Sequence, residues 1–374
     1  MAENKVPTVF PPGAILEEEL EARGWSQVEL AAILGRPVKV VNDIIAGRRA
    51  ITPETALGFA GALGTSAELW MNLESRYQLA KVKGSDLVAQ RAYLHAIAPV
   101  KEMERRGWIE QTDDVKKLAA NLCGFFKVNA LEDIAALPHA AKKSTDYDDD
   151  PSPGQRAWVQ YVRNIAQSVA VGRFTNESFQ RACGQIRGLL HSKQEIRHVP
   201  RILAEAGIRL VVVEHLSGTA IDGVCLWLSE NEPVIGISVR FDRIDHFWFV
   251  LAHELAHVFQ KDGRENPILD VDLVGADAIK SSEKPEVERR ADTWAEDFLI
   301  PAQEMKHFID RVSPMYSKDR IKGFAARLKI HPGIVVGQLQ HREEIKYSHS
   351  REMLEKVRGV ITETTLTDGW KQQA

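Results

Sequence analysis

Two of the chain's histidines stand four residues apart in the run HFWFVLAHELAHVFQ, with a glutamate directly after the first. On a helix that spacing turns His253 and His257 to one face, about 6 Å apart along the axis, where two imidazole nitrogens can bind one zinc ion. Glu254 then falls beside the metal instead of under it. A carboxylate there can take a proton from a metal-activated water and pass it to a leaving amine, which is the chemistry of peptide hydrolysis. Two histidines and a glutamate in so apolar a helix are costly unless they are paired or bind a metal.

Such a centre needs a third protein ligand. The metzincin arrangement would place glycine at 260 and histidine at 263, but those positions hold Gln260 and Gly263. Roughly thirty residues on, VERRADTWAEDFLIP reads as an amphipathic helix that packs through Ala291, Trp294, Ala295 and Phe298. Glu288 and Asp292 share its other face. Glu288 would coordinate zinc, and Asp292 could accept a ring N–H from a ligand histidine and so fix its tautomer. This is the logic of a gluzincin. An oxyanion donor stays unassigned: His331, His341, Tyr316 and Arg240 are candidates, and each also suits a surface or packing role.

The elements that must carry these residues can be read around them. Residues 208–213, 223–228 and 233–238 are short β-rich runs separated by turn residues, consistent with a small, mixed or mainly antiparallel sheet. The run VIGISV is a candidate edge strand for an extended substrate; alternatively these strands only cover the active-site helix. Two amphipathic helices precede them. Further upstream, residues 84–137 continue as helix without a catalytic constellation, and the acidic run at 146–150 followed by Pro151 and Pro153 suits an exposed linker.

The N-terminal stretch offers a different chemistry. From residue 13 to about 83, Gly24, Gly35, Gly47 and Gly64 cut the sequence into five helix-length pieces. Ser26 with Glu29 and Thr65 with Glu68 form capping boxes, and Thr52 precedes Pro53 as cap and first turn. The second and third pieces, residues 27–34 and 37–46, are joined by only Gly35 and Arg36, so they must cross steeply, as in a helix-turn-helix. Val41, Ile44 and Ile45 supply the packing stripe of the third, which turns Val38, Lys39, Asn42 and Asp43 outward. Lys39 can reach guanine or a phosphate and Asn42 can pair with adenine, while Gln27, Arg48 and Arg49 are placed for the backbone. Glutamates 17, 18, 19 and 21 leave the segment near neutral, so tight binding to DNA would need a dimer.

Bulk properties set the frame. At 374 residues the chain exceeds one ordinary core, and a net charge of -4 excludes a protein that holds nucleic acid by overall electrostatics. Cys123, Cys183 and Cys225 have no paired spacing and read as buried reduced thiols. No signal-like start and no membrane-length apolar window is present, which places the protein in the cytoplasm. The expected class is α+β and predominantly helical. Residues 1–83 would form a helix-turn-helix domain, 84–150 a helical linker region, 151–345 a zincin-like domain and 346–374 a C-terminal tail.

Two resemblances sharpen this reading. The run LEEELEARGWSQVELAAILGRPVKVVNDIIAGRRAITPETALGFAGALGTSAELWMNLESRYQLA resembles the HigA branch of the XRE family, with GRRAITPETAL and SAELWMNLESRY its most specific parts. That resemblance implies an antitoxin regulator, a homodimer on its own operator DNA and, in many members, a HigB toxin as partner. Pro37 departs from the polar residue usual at the start of the recognition helix, which removes one expected DNA contact. HFWFVLAHELAH together with ERRADTWAEDFLIP and the later IHPGIVVGQLQ resembles the ImmA/IrrE metallopeptidases over residues 200–342, with Trp294 in place of the usual phenylalanine. It implies zinc on His253, His257 and Glu288, Glu254 as catalytic residue, and a protein or peptide substrate. Two function classes follow: a regulator whose peptidase acts on a protein, or a non-catalytic antitoxin in which zinc is structural or a sensor.

Overall fold

The computed structural model describes residues 10–81, 86–136, 142–143, 150–275, 284–363 and 365. The chain divides into two compact units, Met1–Gln90 and Arg91–Ala374.

In the first unit the five expected helices form: α1 (Pro12–Arg23), α2 (Gln27–Ile33), α3 (Val38–Ile45), α4 (Pro53–Leu63) and α5 (Ala67–Lys81). Ser26 Oγ accepts from Glu29 N at 3.2 Å while Glu29 Oε2 accepts from Ser26 N at 2.6 Å, completing the capping box of α2. Gly35 takes φ 64°, the left-handed turn that lets α3 cross α2 after so short a link. The expected Thr65/Glu68 box is replaced. Ser66 Oγ accepts from Leu69 N at 3.1 Å, and Thr65 Oγ1 instead accepts the indole N–H of Trp70 at 2.8 Å. Trp70 is fully buried and its N–H needs an acceptor, so starting the helix one residue later satisfies both groups. Leu16, Leu30, Val41, Ile44, Phe59 and Trp70 make the core.

The second unit is helical around a five-stranded sheet. Its helices are α6 (Asp86–Ile97, which spans the division), α7 (Val100–Arg105), α8 (Val115–Phe126), α9 (Glu132–Ala136), α10 (Pro153–Ala166), α11 (Asn176–Leu189), α12 (Val199–Glu205), α13 (Ile244–Gln260), α14 (Glu286–Leu299), α15 (Ala302–Val312), α16 (Lys318–Leu328), α17 (Pro332–His341) and α18 (Arg358–Thr362). The strands are β1 (Lys142–Lys143), β2 (Arg209–Val212), β3 (Ile221–Trp227), β4 (Pro233–Ile237) and β5 (Ile268–Val271), in the order β1-β5-β3-β4-β2. Pairing is antiparallel at β3/β4 and β3/β5 and parallel at β2/β4 and β1/β5, so the sheet is mixed. The whole is α+β and predominantly helical.

Successive side chains of the strands enter two different cores. Val211, Val224, Leu226 and Val234 pack with Trp158 and Val162 of α10, whereas Leu210, Cys225, Ile235 and Ile237 pack beneath α13 with Trp248, Leu251 and Leu255. Burial on both faces is why these runs read as continuously apolar instead of alternating. It also corrects the assignment of VIGISV as an edge strand: β4 is paired on both sides, and β1 and β2 are the edges. Leu94, Met103, Leu122 and Phe126, from the stretch set apart as a linker region, pack into the α10 core. Residues 144–149, most of the acidic run, lie outside the described residues. Met353, Val357 and Ile361, within the expected tail, are buried in the core under α13. Among the described residues no helix is long and apolar enough to cross a membrane.

Candidate metal centre and nucleic-acid interface

Helix α13 carries both histidines of the HExxH run on its buried side, and α14 packs against it with Glu288 and Asp292 facing inward. Nε2 of His253 and Nε2 of His257 lie 3.0 Å apart, and Glu288 Oε2 lies 3.1 Å from the first and 3.7 Å from the second. Each Nδ1 is backed by a carboxylate. His253 Nδ1 is 3.0 Å from Asp292 Oδ1, and His257 Nδ1 is 3.1 Å from Asp262 Oδ2. Both rings therefore aim Nε2 at one point. Asp270 of β5 joins them, its Oδ2 3.5 Å from His253 Nε2 and 4.0 Å from His257 Nε2. Lys284 donates to Asp292 Oδ2 at 2.7 Å from a buried position.

The electrostatics of this cluster call for a cation. Carboxylates of Glu254, Asp262, Asp270, Glu288 and Asp292 outnumber the cationic groups, and the oxygens of Glu254 and Asp270 are buried without a hydrogen-bond partner. Burial, with Asp270 opposite, pushes the Glu254 carboxyl well above the usual range. Burial also works against charge on Glu288, but hydrogen bonds from His253 and His257 hold it well below that range. At His253 burial opposes protonation, and the surrounding carboxylates override it and raise its pKa. Four donors from His253, His257, Asp270 and Glu288 lie within 4.8 Å of one another. Ligands on a tetrahedral zinc sit about 3.3 Å apart, so the donor types and spacings fit such an ion.

Glu254 has its own support. An added Cβ at Gly223 would stand 2.0 Å from Glu254 Oε1, so the carboxylate rests against bare backbone of β3. No side chain larger than hydrogen fits there without moving it.

In the first unit the packing stripe is as expected for Val41 and Ile44, which are buried, while Ile45 is half-buried. Lys39 and Asn42 are exposed along α3, Arg48 and Arg49 are exposed after it, and Gln27 is half-buried at the start of α2. Val38 is only half outward, since it packs against the core. Arg48 Nε is 3.0 Å from Asp43 Oδ1.

Comparison with known families matches both regions. Residues 16–70 fit the family described as helix-turn-helix, and residues 204–340 fit the IrrE N-terminal-like domain of a peptidase family. Virulence-associated protein I of Dichelobacter nodosus is 33% identical over 76 residues, which is 20% of this chain and 70% of that protein. The chain belongs to the XRE-type helix-turn-helix proteins and carries an IrrE/ImmA-like domain. An uncharacterized HTH-type transcriptional regulator of Escherichia coli K12, YddM, is 29% identical over 72 residues, 19% of this chain and 77% of that one. The solved structure of Pseudomonas aeruginosa antitoxin HigA with the higBA promoter is 38% identical, covering 20% of this chain and 80% of its own, with a TM-score of 0.19.

Within the IrrE-like domain the structure brings together His253, Glu254, His257, Glu288 and Asp292. The oxyanion candidates have other partners. Arg240 is spent on Asp222, at 3.1 and 3.2 Å, and on Asp272 at 2.9 Å; Tyr316 donates to Glu344 at 2.5 Å; His331 pairs with Glu355 at 3.2 Å. His341 Nε2 lies 3.8 Å from Glu296. Sequence reasoning missed Asp270, Asp262, Lys284 and Gly223. Only Asp270 left a signal, as one of two carboxylates, with Asp272, inside the otherwise apolar run PILDVDLV, where an unpaired charge would be costly.

Proposed function

We propose that the chain is a HigA-like, DNA-binding transcriptional regulator whose IrrE-like domain is a zinc metalloendopeptidase of the gluzincin kind, acting on a regulatory protein. The enzymatic half rests on one observation: the Nε2 atoms of His253 and His257 converge with Glu288 from a separate helix, beside the Glu254 carboxylate. His253, His257 and Glu288 would hold the ion. When bound, zinc supplies Lewis-acid chemistry that polarises a peptide carbonyl and makes water a better nucleophile near neutral pH. Asp292 and Asp262 keep the two imidazoles in the orientation that leaves Nε2 free, and Lys284 balances the charge of Asp292. Glu254, held against Gly223, takes the proton of the attacking water and delivers it to the departing amine.

The DNA-binding half rests on the helix-turn-helix match together with the exposed Lys39, Asn42, Arg48 and Arg49. A homodimer on operator DNA suits so small and nearly neutral a reading head. A HigB-like toxin is the partner that the HigA likeness suggests.

A second reading is favoured by the complete burial of His253, Glu254, His257 and Asp270. In it the metal is structural or a sensor, and the chain only binds DNA and a toxin. Glu254→Gln separates the two. Wild type, this variant and Gly223→Ala should each hold about one zinc per chain. Wild type alone should deplete the partner protein when the neighbouring genes are co-expressed. Equal partner levels in wild type and Glu254→Gln would leave the binding-only reading standing.

A further inference from the structure

The site contains one more donor than a hydrolytic centre needs. Asp270 is fully buried, and both its oxygens lack a hydrogen-bond partner. Its strand neighbours Leu269 and Val271 point into the α10 core, so Asp270 points to the opposite face of the sheet, toward α13. Its partner in register on β3 is Gly223, the residue against which the Glu254 carboxylate rests. Asp270 therefore faces Glu254 on one side and the two Nε2 atoms on the other. That is the space in which a water deprotonated by Glu254 would have to lie.

Catalytic zinc sites keep three protein ligands and an open position, whereas closed sites have four protein ligands. We propose that Asp270 is a fourth metal ligand, which closes the centre and holds the domain in a resting form until β5 is drawn away. This deepens the metallopeptidase reading and rests on it. The local fold allows the movement. β5 pairs with β3 through a register shift between Ile221 and Gly223, and among the described residues its outer neighbour β1 covers only Ile268 and Leu269. Among the described residues, Asp270 and Val271 thus lie at the end of β5 that has no strand outside it, and a displacement of that end away from Gly223 withdraws the carboxylate.

The test uses the full chain loaded with cobalt(II), whose visible absorption responds to any change of inner-shell ligand, and acetohydroxamate, a small metal-binding probe. Wild type should keep its spectrum at probe concentrations that fully convert Asp270→Ala. The variant should also lose metal to a competing chelator at least about tenfold more readily. Conversion of wild type as easily as Asp270→Ala, or equal metal retention by the two, overturns the proposal. Should Asp270→Ala not fold, the wild-type titration decides alone, because an open three-ligand centre must take up the probe. A wild-type chain that retains neither cobalt nor zinc instead sinks the metallopeptidase reading itself, so the two failures are distinct.

Discussion

In the first unit the side chains expected to meet a ligand stand in solvent, with Lys39, Asn42, Arg48 and Arg49 exposed above a core of Val41 and Ile44. In the second unit the order is inverted: His253, Glu254, His257 and Asp270 are wholly buried, and the core is built around them. A surface reading head can lose one side chain and keep its fold, because water replaces the lost partner. A buried polar cluster cannot, because its groups are desolvated and no water replaces a partner that is lost. Stability and function should therefore be separable in the first unit and fused in the second.

The sharpest way to break this contrast is a pair of matched lysine substitutions. Lys284 is 3% exposed and lies 2.7 Å from Asp292, which itself faces His253. Lys284→Met removes that ammonium and leaves a buried carboxylate uncompensated, which typically costs about 3–5 kcal/mol. Lys39→Met, on the exposed face of α3, should fall within about 0.5 kcal/mol of wild type. Denaturant unfolding of both variants measures the difference. Equal losses would show that the buried cluster is no more coupled than the surface.

Acid separates the units next. The first unit, residues 1–90, contains no histidine. In the second, burial holds His246 down to about 4, with Arg243 and Arg240 adding to it and Asp245, 3.6 Å away, opposing it. The sign follows from proton counting. Between its unfolded value near 6.5 and its folded value near 4, the unfolded chain binds the extra proton, so stability falls as pH is lowered through that window. The full loss amounts to about 3 kcal/mol. Unfolding of the second unit followed from pH 7 to pH 4 in wild type and His246→Gln isolates this contribution, because groups such as His253 and Asp222, whose pKa values are raised and which slope the other way, are common to both. Over the same window the first unit should stay flat until its carboxylates titrate. Glu29 is held low by hydrogen bonds from Ser26, so its contribution is present above its unfolded pKa and disappears only at lower pH.

This contrast also decides what could be read from sequence. Helix stops and starts in the first unit are local, set by glycine conformation and by Ser26 and Thr52 as caps, and they appear in the structure where expected. Thr65 failed as a cap because a long-range demand, the buried indole of Trp70, claimed its hydroxyl. At the candidate metal centre the HExxH spacing and the Glu288/Asp292 face were legible because helix periodicity fixes them. Asp270 and Gly223 were not, because they meet only through the β3/β5 register, and β5 is too short to announce itself. Continuous burial on both faces likewise hid the place of β4 in the sheet. Local periodicity predicts which residues share a face; it does not say which faces a sheet will bring together.

The smallest effects belong to the exposed interface, where single contributions should add instead of collapsing together. Asn42→Ala should cost about 1–3 kcal/mol of discrimination at one base position and little on unrelated DNA. Arg49→Ala should weaken all sequences alike and lower the slope of log affinity against log salt by about one. Arg48 is a different case, because Asp43 Oδ1 lies 3.0 Å from its Nε and competes with phosphate for it. Arg48→Ala should therefore change affinity less than Arg49→Ala, and Asp43→Asn should strengthen binding by freeing the guanidinium and removing a negative charge from the face. Fluorescence anisotropy on operator and scrambled duplexes across a salt series reads all four variants. If Asp43→Asn weakens binding on both duplexes, then Asp43 orients Arg48 instead of restraining it, and even this exposed face carries a coupled pair of the kind the second unit buries.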